Sequence, residues 1–185
     1  MSVNLQLLNF IEIYRNTIDQ SILTNTLKRC NNLEWKLHEW TNYNSVTPSP
    51  QSNEEFLRAD LTGIEKALLH RNITHCVLQY CKLHNFSING NSPIVINKYE
   101  QGKRLIEHID HKTNYFTGVN KGIPIITVIG ILNNDYTGGM LTLCKNFDVP
   151  LVAGDLVIFP SNFLFPHTIS TVETGIRYSF NQWFW

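Results

Sequence analysis

Two histidines and a carboxylate stand apart in the second half of this 185-residue chain. His108 and Asp110 flank a single isoleucine at the end of an apolar run, and His167 follows 57 positions later. If residues 108–110 are strand, positions i and i+2 share a face, so His108 and Asp110 can turn toward one ion while Ile109 points away. Adding His167 gives three ligands on one side of a metal and leaves the other side open, the 2-His-1-carboxylate arrangement suited to Fe(II) and O2 chemistry. His167 sits in an apolar stretch (Phe163, Leu164, Phe165, Pro166), where an unsatisfied polar group is costly. Arg177 lies ten positions further on, in a segment otherwise apolar or aromatic (Ile176, Tyr178, Phe180, Trp183). A buried guanidinium needs an anion, which is either a ligand carboxylate or a neighbouring acid such as Asp155 or Glu173. The other five histidines (His38, His70, His75, His84, His111) carry no such pattern and read as structural.

The elements that must hold these residues divide the chain. In the first half, residues 9–14 alternate like a short strand. Residues 19–30 carry Ile22, Leu23, Leu27 and Cys30 on one side of a helix that Asp19 or Ser21 would cap. Residues 35–40 read as a strand. Residues 41–53 hold Pro48 and Pro50 among Ser and Asn, and read as a long loop beside Trp40, of the kind used as a substrate lid. Residues 54–83 repeat apolar positions at helical spacing, with a junction or bend expected at Arg71-Asn72. After Asn85, short β-type runs cover 93–99, 104–110, 123–132, 140–144, 156–159 and 175–184. Asn89-Gly90, Asn133-Asn134-Asp135, Gly138-Gly139 and Gly154-Asp155 supply the turns. The expectation is an α+β fold: a double-stranded β-helix, or jelly roll, with N-terminal supporting helices. The whole of 1–185 reads as one domain, with 1–90 as helical support and lid and 91–185 as the catalytic core.

Composition narrows the function classes. Fifteen basic and fifteen acidic residues balance, so no nucleic acid or anionic membrane is expected as partner. The N-terminus lacks the charged and apolar regions of a signal peptide, and no stretch is apolar enough to span a bilayer. The four cysteines show no CxxC spacing and read as reduced and buried. A cytoplasmic protein is expected.

Several ordered motifs together resemble one family. Ile96-Asn97-Lys98-Tyr99-Glu100-Gln101-Gly102 followed by His108-x-Asp110 is similar to the first metal-binding segment of prolyl 4-hydroxylase-type 2-oxoglutarate and Fe(II)-dependent dioxygenases. Leu132-Asn133-x-x-Tyr136-x-Gly138-Gly139-x-Leu141 is similar to their next strand-turn-strand. Gly154-Asp155-Leu156-Val157-Ile158-Phe159-Pro160-Ser161 matches the turn before the distal histidine, and Pro166-His167-Thr168 through Gly175-x-Arg177-Tyr178-Ser179 to Trp183 matches the closing segment. The resemblance covers residues 93–185.

It implies His108, Asp110 and His167 as iron ligands, and Arg177 as the partner of the distal carboxylate of 2-oxoglutarate. It further implies Tyr99 as a hydrogen-bond partner of that co-substrate, Leu141 and Thr127 as pocket lining, and Trp183 beside the metal. The implied cofactors are Fe(II), 2-oxoglutarate and O2, with ascorbate in support. The implied activity is hydroxylation of a C–H bond, foremost of a peptidyl proline in a polypeptide partner. A small-molecule or free amino-acid hydroxylase of the same chemistry, and a non-catalytic jelly-roll metal-binding protein, are the alternatives. The sequence departs from the pattern at Ile131, where many relatives carry a second co-substrate tyrosine, and at Met140 and Leu105. These changes leave the ligands in place and alter the shape of the pocket.

Overall fold

A computed structural model describes residues 5–38, 56–111 and 122–185. The anticipated loop 41–53 and Trp40 lie outside the described residues. In chain order the elements are α1 (Leu5–Leu8), β1 (Glu12–Tyr14), α2 (Gln20–Cys30), β2 (Lys36–Leu37), β3 (Leu57–Asp60), α3 (Ile64–Leu83), β4 (Val95–Tyr99) and β5 (Leu105–His108). There follow β6 (Ile126–Ile131), β7 (Tyr136–Gly138), β8 (Leu141–Leu143), β9 (Phe147–Val149), β10 (Leu156–Pro160), β11 (His167–Ile169), β12 (Val172–Gly175) and β13 (Arg177–Phe184).

The strands form a seven-stranded major sheet, β1-β10-β6-β13-β4-β3-β2, and a four-stranded minor sheet, β5-β11-β8-β9, with β12 and β7 as a separate pair. Every pairing is antiparallel. Jelly-roll architecture with helical support matches the expectation from sequence.

Alternation along the strands separates two apolar layers. On β13, Tyr178, Phe180, Gln182 and Phe184 point one way, and Arg177, Ser179, Asn181 and Trp183 the other. Phe180 and Phe184 join Ile96, Val128 and Ile158 in a core beneath the helices. There α3 presents Leu69, Ile73, Cys76, Val77, Tyr80 and Cys81, a stripe at helical spacing. Gly130 lies directly opposite Phe180 across the β6–β13 pair. A Cβ there would meet the Phe180 ring at 2.1 Å, so only glycine lets that ring lie flat over the strand. The second core fills the space between the sheets, with Tyr99, Ile129, Leu141, Leu143, Val157, Phe159 and Phe165. The functional residues sit in that second space.

In the first half, β1 and β2 fall within the runs 9–14 and 35–40 read as strands, whereas β3 was not expected. All three belong to the major sheet, and residues 54–83 are not helical throughout. Phe56, Leu57 and Leu61 fit a helical repeat, but β4 offers a free edge and β3 pairs with it. Gly63, at φ 83°, then breaks the chain direction before α3. From Ile64 the helix runs unbroken through Arg71-Asn72. Asp19 occupies the N-cap of α2 in extended conformation, yet its side chain makes no cap bond. Three short strands had no separate signal: β7, β9 and β12. All four cysteines are free thiols. Among the described residues no helix is long and apolar enough to cross a membrane.

Candidate active site

The three expected ligands converge. His108 ends β5 and lies directly across from His167, the first residue of β11. Their rings are 4.1 Å apart between centroids. Asp110 is not on the strand with His108, as the i, i+2 reading supposed, but in the bend just beyond it. The backbone N–H of His111 donates to Ser161 O at 3.0 Å and fixes that bend against the end of β10. Asp110 therefore reaches both histidines: His108 Nε2 lies 3.6 Å from Oδ1 and His167 Nε2 3.5 Å from Oδ2. One donor atom from each of the three lies within 4.8 Å of the others.

The hydrogen bonds behind the ligands set their chemistry. His108 Nδ1 is 2.9 Å from Ile106 O and His167 Nδ1 is 3.4 Å from Phe165 O. A carbonyl accepts only, so each Nδ1 is the donor there and each Nε2 is the atom turned inward to Asp110. Burial, reinforced by the neighbouring His108, pulls the His167 pKa down to about 4 against the opposing pull of Asp110. His167 is thus neutral at physiological pH. Burial would raise Asp110, but His167, His108 and the Trp183 indole outweigh it and hold the carboxyl well below the usual range. Two imidazole nitrogens and an ionised carboxylate, with His167 and Asp110 buried and His108 partly so, are the donor set of a divalent transition metal. The residues fit Fe(II).

Thr127, expected to line the co-substrate pocket, has its hydroxyl on a metal-ligand candidate. It is completely buried, its hydroxyl donates to Asp110 Oδ2 at 2.8 Å, and it lies 2.8 Å from Ser161 Oγ. Thr127 therefore orients the carboxylate ligand, as outer partners of metal ligands do. Trp183 interacts with the Asp110 carboxyl. Leu141, on β8 beside β11, is buried in the core between the sheets.

Arg177 is 1% exposed and has no acidic partner among the described residues. Asp155, one of the two acids that could have paired with it, is taken by Arg15 at 2.6 Å and by the N–H groups of Asn16 and Val152. Glu173 forms no ion pair with it. Arg177 Nη1 donates to Ser179 Oγ at 2.7 Å, Nε has no partner, and the guanidinium carbon stands 5.2 Å from the Tyr99 ring centroid. Tyr99 is buried, stacks on Phe56 at 4.3 Å and faces Arg177 across β4–β13. Gly139, at φ 60°, makes room for the arginine stem; a Cβ there would be 2.7 Å from Arg177 Cδ. A buried cation with a free donor and an aromatic wall is a receptor for a carboxylate.

Ser161, Ser179 and the pair Asn97–Asn181 escaped the sequence reading. The available signal was polar residues at inward positions of strands that otherwise bury apolar side chains.

The 2OG-Fe(II) oxygenase superfamily model matches residues 94–185, the segment that carries all four charged or ligating residues of the site. The chain belongs to the 2OG-Fe(II) oxygenase superfamily. Within that superfamily it is 33% identical over 99 residues to a PKHD-type hydroxylase of Methylobacillus flagellatus, across 50% of this chain and 42% of the relative. It is 31% identical over 91 residues to a PKHD-type hydroxylase of a Janthinobacterium species, across 46% and 39%. The matched segment thus spans about two fifths of these curated relatives' length.

In fold, this chain is similar to a Trichoplax adhaerens prolyl hydroxylase solved with a hypoxia inducible factor peptide fragment. The TM-score is 0.70 at 21% identity, covering 99% of this chain and 87% of that one. A Pseudomonas putida prolyl-4-hydroxylase gives 0.71 at 14% identity, covering 95% and 91%. The viral collagen prolyl hydroxylase of Paramecium bursaria Chlorella virus-1 gives 0.69 at 11%, covering 95% and 94%. The likeness therefore extends over the first half of the chain, which the family match does not reach.

Proposed function

We propose that this chain is a 2-oxoglutarate- and Fe(II)-dependent dioxygenase that hydroxylates a C–H bond of a polypeptide, with a prolyl residue as the target. The observation that carries the co-substrate is Arg177, buried on the inward face of β13 without an acidic partner among the described residues. A structural metal site has no use for such a residue. Support for a prolyl target comes from the fold shared with prolyl hydroxylases, one of them solved with a peptide.

His108, Asp110 and His167 would hold the iron, with Thr127 and Trp183 keeping Asp110 in its orientation. Arg177 and Tyr99 would hold the far carboxylate of 2-oxoglutarate. Ile129, Ile131 and Leu141, all buried, keep water from the reacting atoms. When bound, the iron and 2-oxoglutarate supply the oxidising chemistry: O2 and 2-oxoglutarate give succinate and CO2, and one oxygen atom enters the substrate C–H bond.

The test is incubation of the full chain with Fe(II), 2-oxoglutarate and ascorbate, with proline-containing peptides, free amino acids and small metabolites supplied in turn. Peptide-stimulated succinate formation with one oxygen gained on a proline supports the reading. Hydroxylation of free amino acids or metabolites and of no peptide removes the polypeptide substrate and keeps the chemistry. No consumption of 2-oxoglutarate with any candidate, by protein loaded with iron, counts against the enzyme itself.

A further inference from the structure

The inward row on β13 reads Arg177, Ser179, Asn181, Trp183. Two of the four carry a buried donor without a partner, Arg177 Nε and Asn181 Nδ2. Asn181 is not loose. Its Oδ1 accepts from Asn97 Nδ2 at 2.9 Å, and Asn97 is itself only 8% exposed, on the same face of β4 as Tyr99. That bond turns the Asn181 N–H2 away from Asn97 and leaves it with nothing to donate to. Its cross-strand neighbours are Val95 and Ile129, both buried and apolar. A hydrocarbon side chain would fill the place without desolvating an amide. A desolvated donor held in a fixed direction calls for an acceptor that comes with a ligand.

The position of this donor says which ligand. Asn181 is two residues from Trp183, whose side chain bonds the Asp110 carboxylate, and four residues from Arg177. Four residues of strand span ~13.5 Å. A five-carbon dicarboxylate measures ~7 Å between its outer oxygens, and one hydrogen bond of ~2.9 Å at each end brings the total to ~13 Å.

We propose that Asn181, oriented by Asn97, binds the keto-acid end of 2-oxoglutarate, the end beside the metal ligands and opposite the one held by Arg177. Asn181 is then a binding residue and Asn97 a positioning residue. The inference rests on the co-substrate assignment made under Proposed function. The competing role is a structural amide pair that ties β4 to β13.

An isosteric change separates the two roles. Asn181→Asp keeps an oxygen to accept from Asn97, so a structural pair survives, but it sets an anion where a donor faced the ligand. Full-length protein loaded with Mn(II) is titrated calorimetrically with 2-oxoglutarate and with oxalate, which presents the near end alone. Asn181→Asp and Asn181→Ala are expected to weaken both ligands by a similar factor, about 10-fold or more, with circular dichroism unchanged. Asn97→Ala should weaken both in the same ratio by less. Arg177→Met should weaken 2-oxoglutarate and spare oxalate. If Asn181→Asp binds both ligands as wild type does while Arg177→Met loses 2-oxoglutarate, the inference is overturned and the co-substrate assignment stands. If wild type binds oxalate but not 2-oxoglutarate, the co-substrate assignment itself fails and the inference goes with it.

Discussion

Replacing Arg177 by methionine should move ligand-free stability and co-substrate affinity in opposite directions. In the ligand-free protein this guanidinium is 1% exposed, bonded to Ser179, and without an acid among the described residues. Substituting well-packed hydrophobic residues for buried charges is often neutral or stabilising, by about 1–4 kcal/mol. Methionine follows the arginine stem past Gly139, so little cavity results. The expected change is a gain of about 1–2 kcal/mol, or roughly 2–8 °C in Tm for a chain of this size. Truncating one partner of a buried charge-assisted pair costs about 2–5 kcal/mol. The 2-oxoglutarate Kd should therefore rise by roughly 30-fold to several thousand-fold. Differential scanning fluorimetry with Mn(II), at increasing 2-oxoglutarate, reads both effects. At about 100 times the wild-type Kd the ligand adds about 2.7 kcal/mol to wild type and far less to the variant. The order of the two melting temperatures should then reverse: variant above wild type without ligand, below it with ligand. A variant that melts well below wild type without ligand, and still gains as much from 2-oxoglutarate, would show that Arg177 is a structural cation and refute the reasoning.

Thr127→Val removes the 2.8 Å hydroxyl bond to Asp110 at nearly constant volume and should lower Mn(II) affinity about 10-fold; unchanged affinity by calorimetry would remove Thr127 from the metal's outer shell. Metal-free protein should lose stability as pH falls from 6.5 toward 4. The His167 pKa is held at about 4 in the folded state, while the unfolded chain takes up that proton near 6.5. Asp110, held below the usual range, adds its own loss only in stronger acid. Tm measured against pH should show this slope, and His167→Gln should flatten it; an equal slope in both proteins assigns the proton elsewhere. Asp155→Ala strands the N–H groups of Asn16 and Val152 and the Arg15 guanidinium. It should cost about 2–4 kcal/mol in urea unfolding, whereas a loss below about 0.5 kcal/mol would make that hub dispensable.

Much of the site was legible because its residues break the pattern around them. His108, Asp110, His167 and Arg177 are polar groups in apolar runs; the first three converge, and Arg177 is buried beside Tyr99. Strand periodicity, by contrast, misplaced Asp110, since the strand ends at His108 and the bend is held by a long-range bond from His111 to Ser161. Thr127 was legible as inward-facing but not as the support of Asp110, because the 17-residue separation closes only through the fold. β3 was hidden in a helical repeat: Phe56, Leu57 and Leu61 satisfy either period, and pairing with β4 decides between them. The pair Asn97–Asn181 spans 84 residues, and no local pattern announces such a contact.

The most direct test is the visible absorption of the protein under anaerobic conditions with Fe(II) and then 2-oxoglutarate. Wild type should develop a weak charge-transfer band only when both are present. Asp110→Ala should show none, with its circular dichroism unchanged. A wild-type protein that binds Fe(II) without developing the band, or an Asp110→Ala variant that develops it at full strength, would contradict the assignment of His108, Asp110 and His167 as the ligands of an iron that receives 2-oxoglutarate.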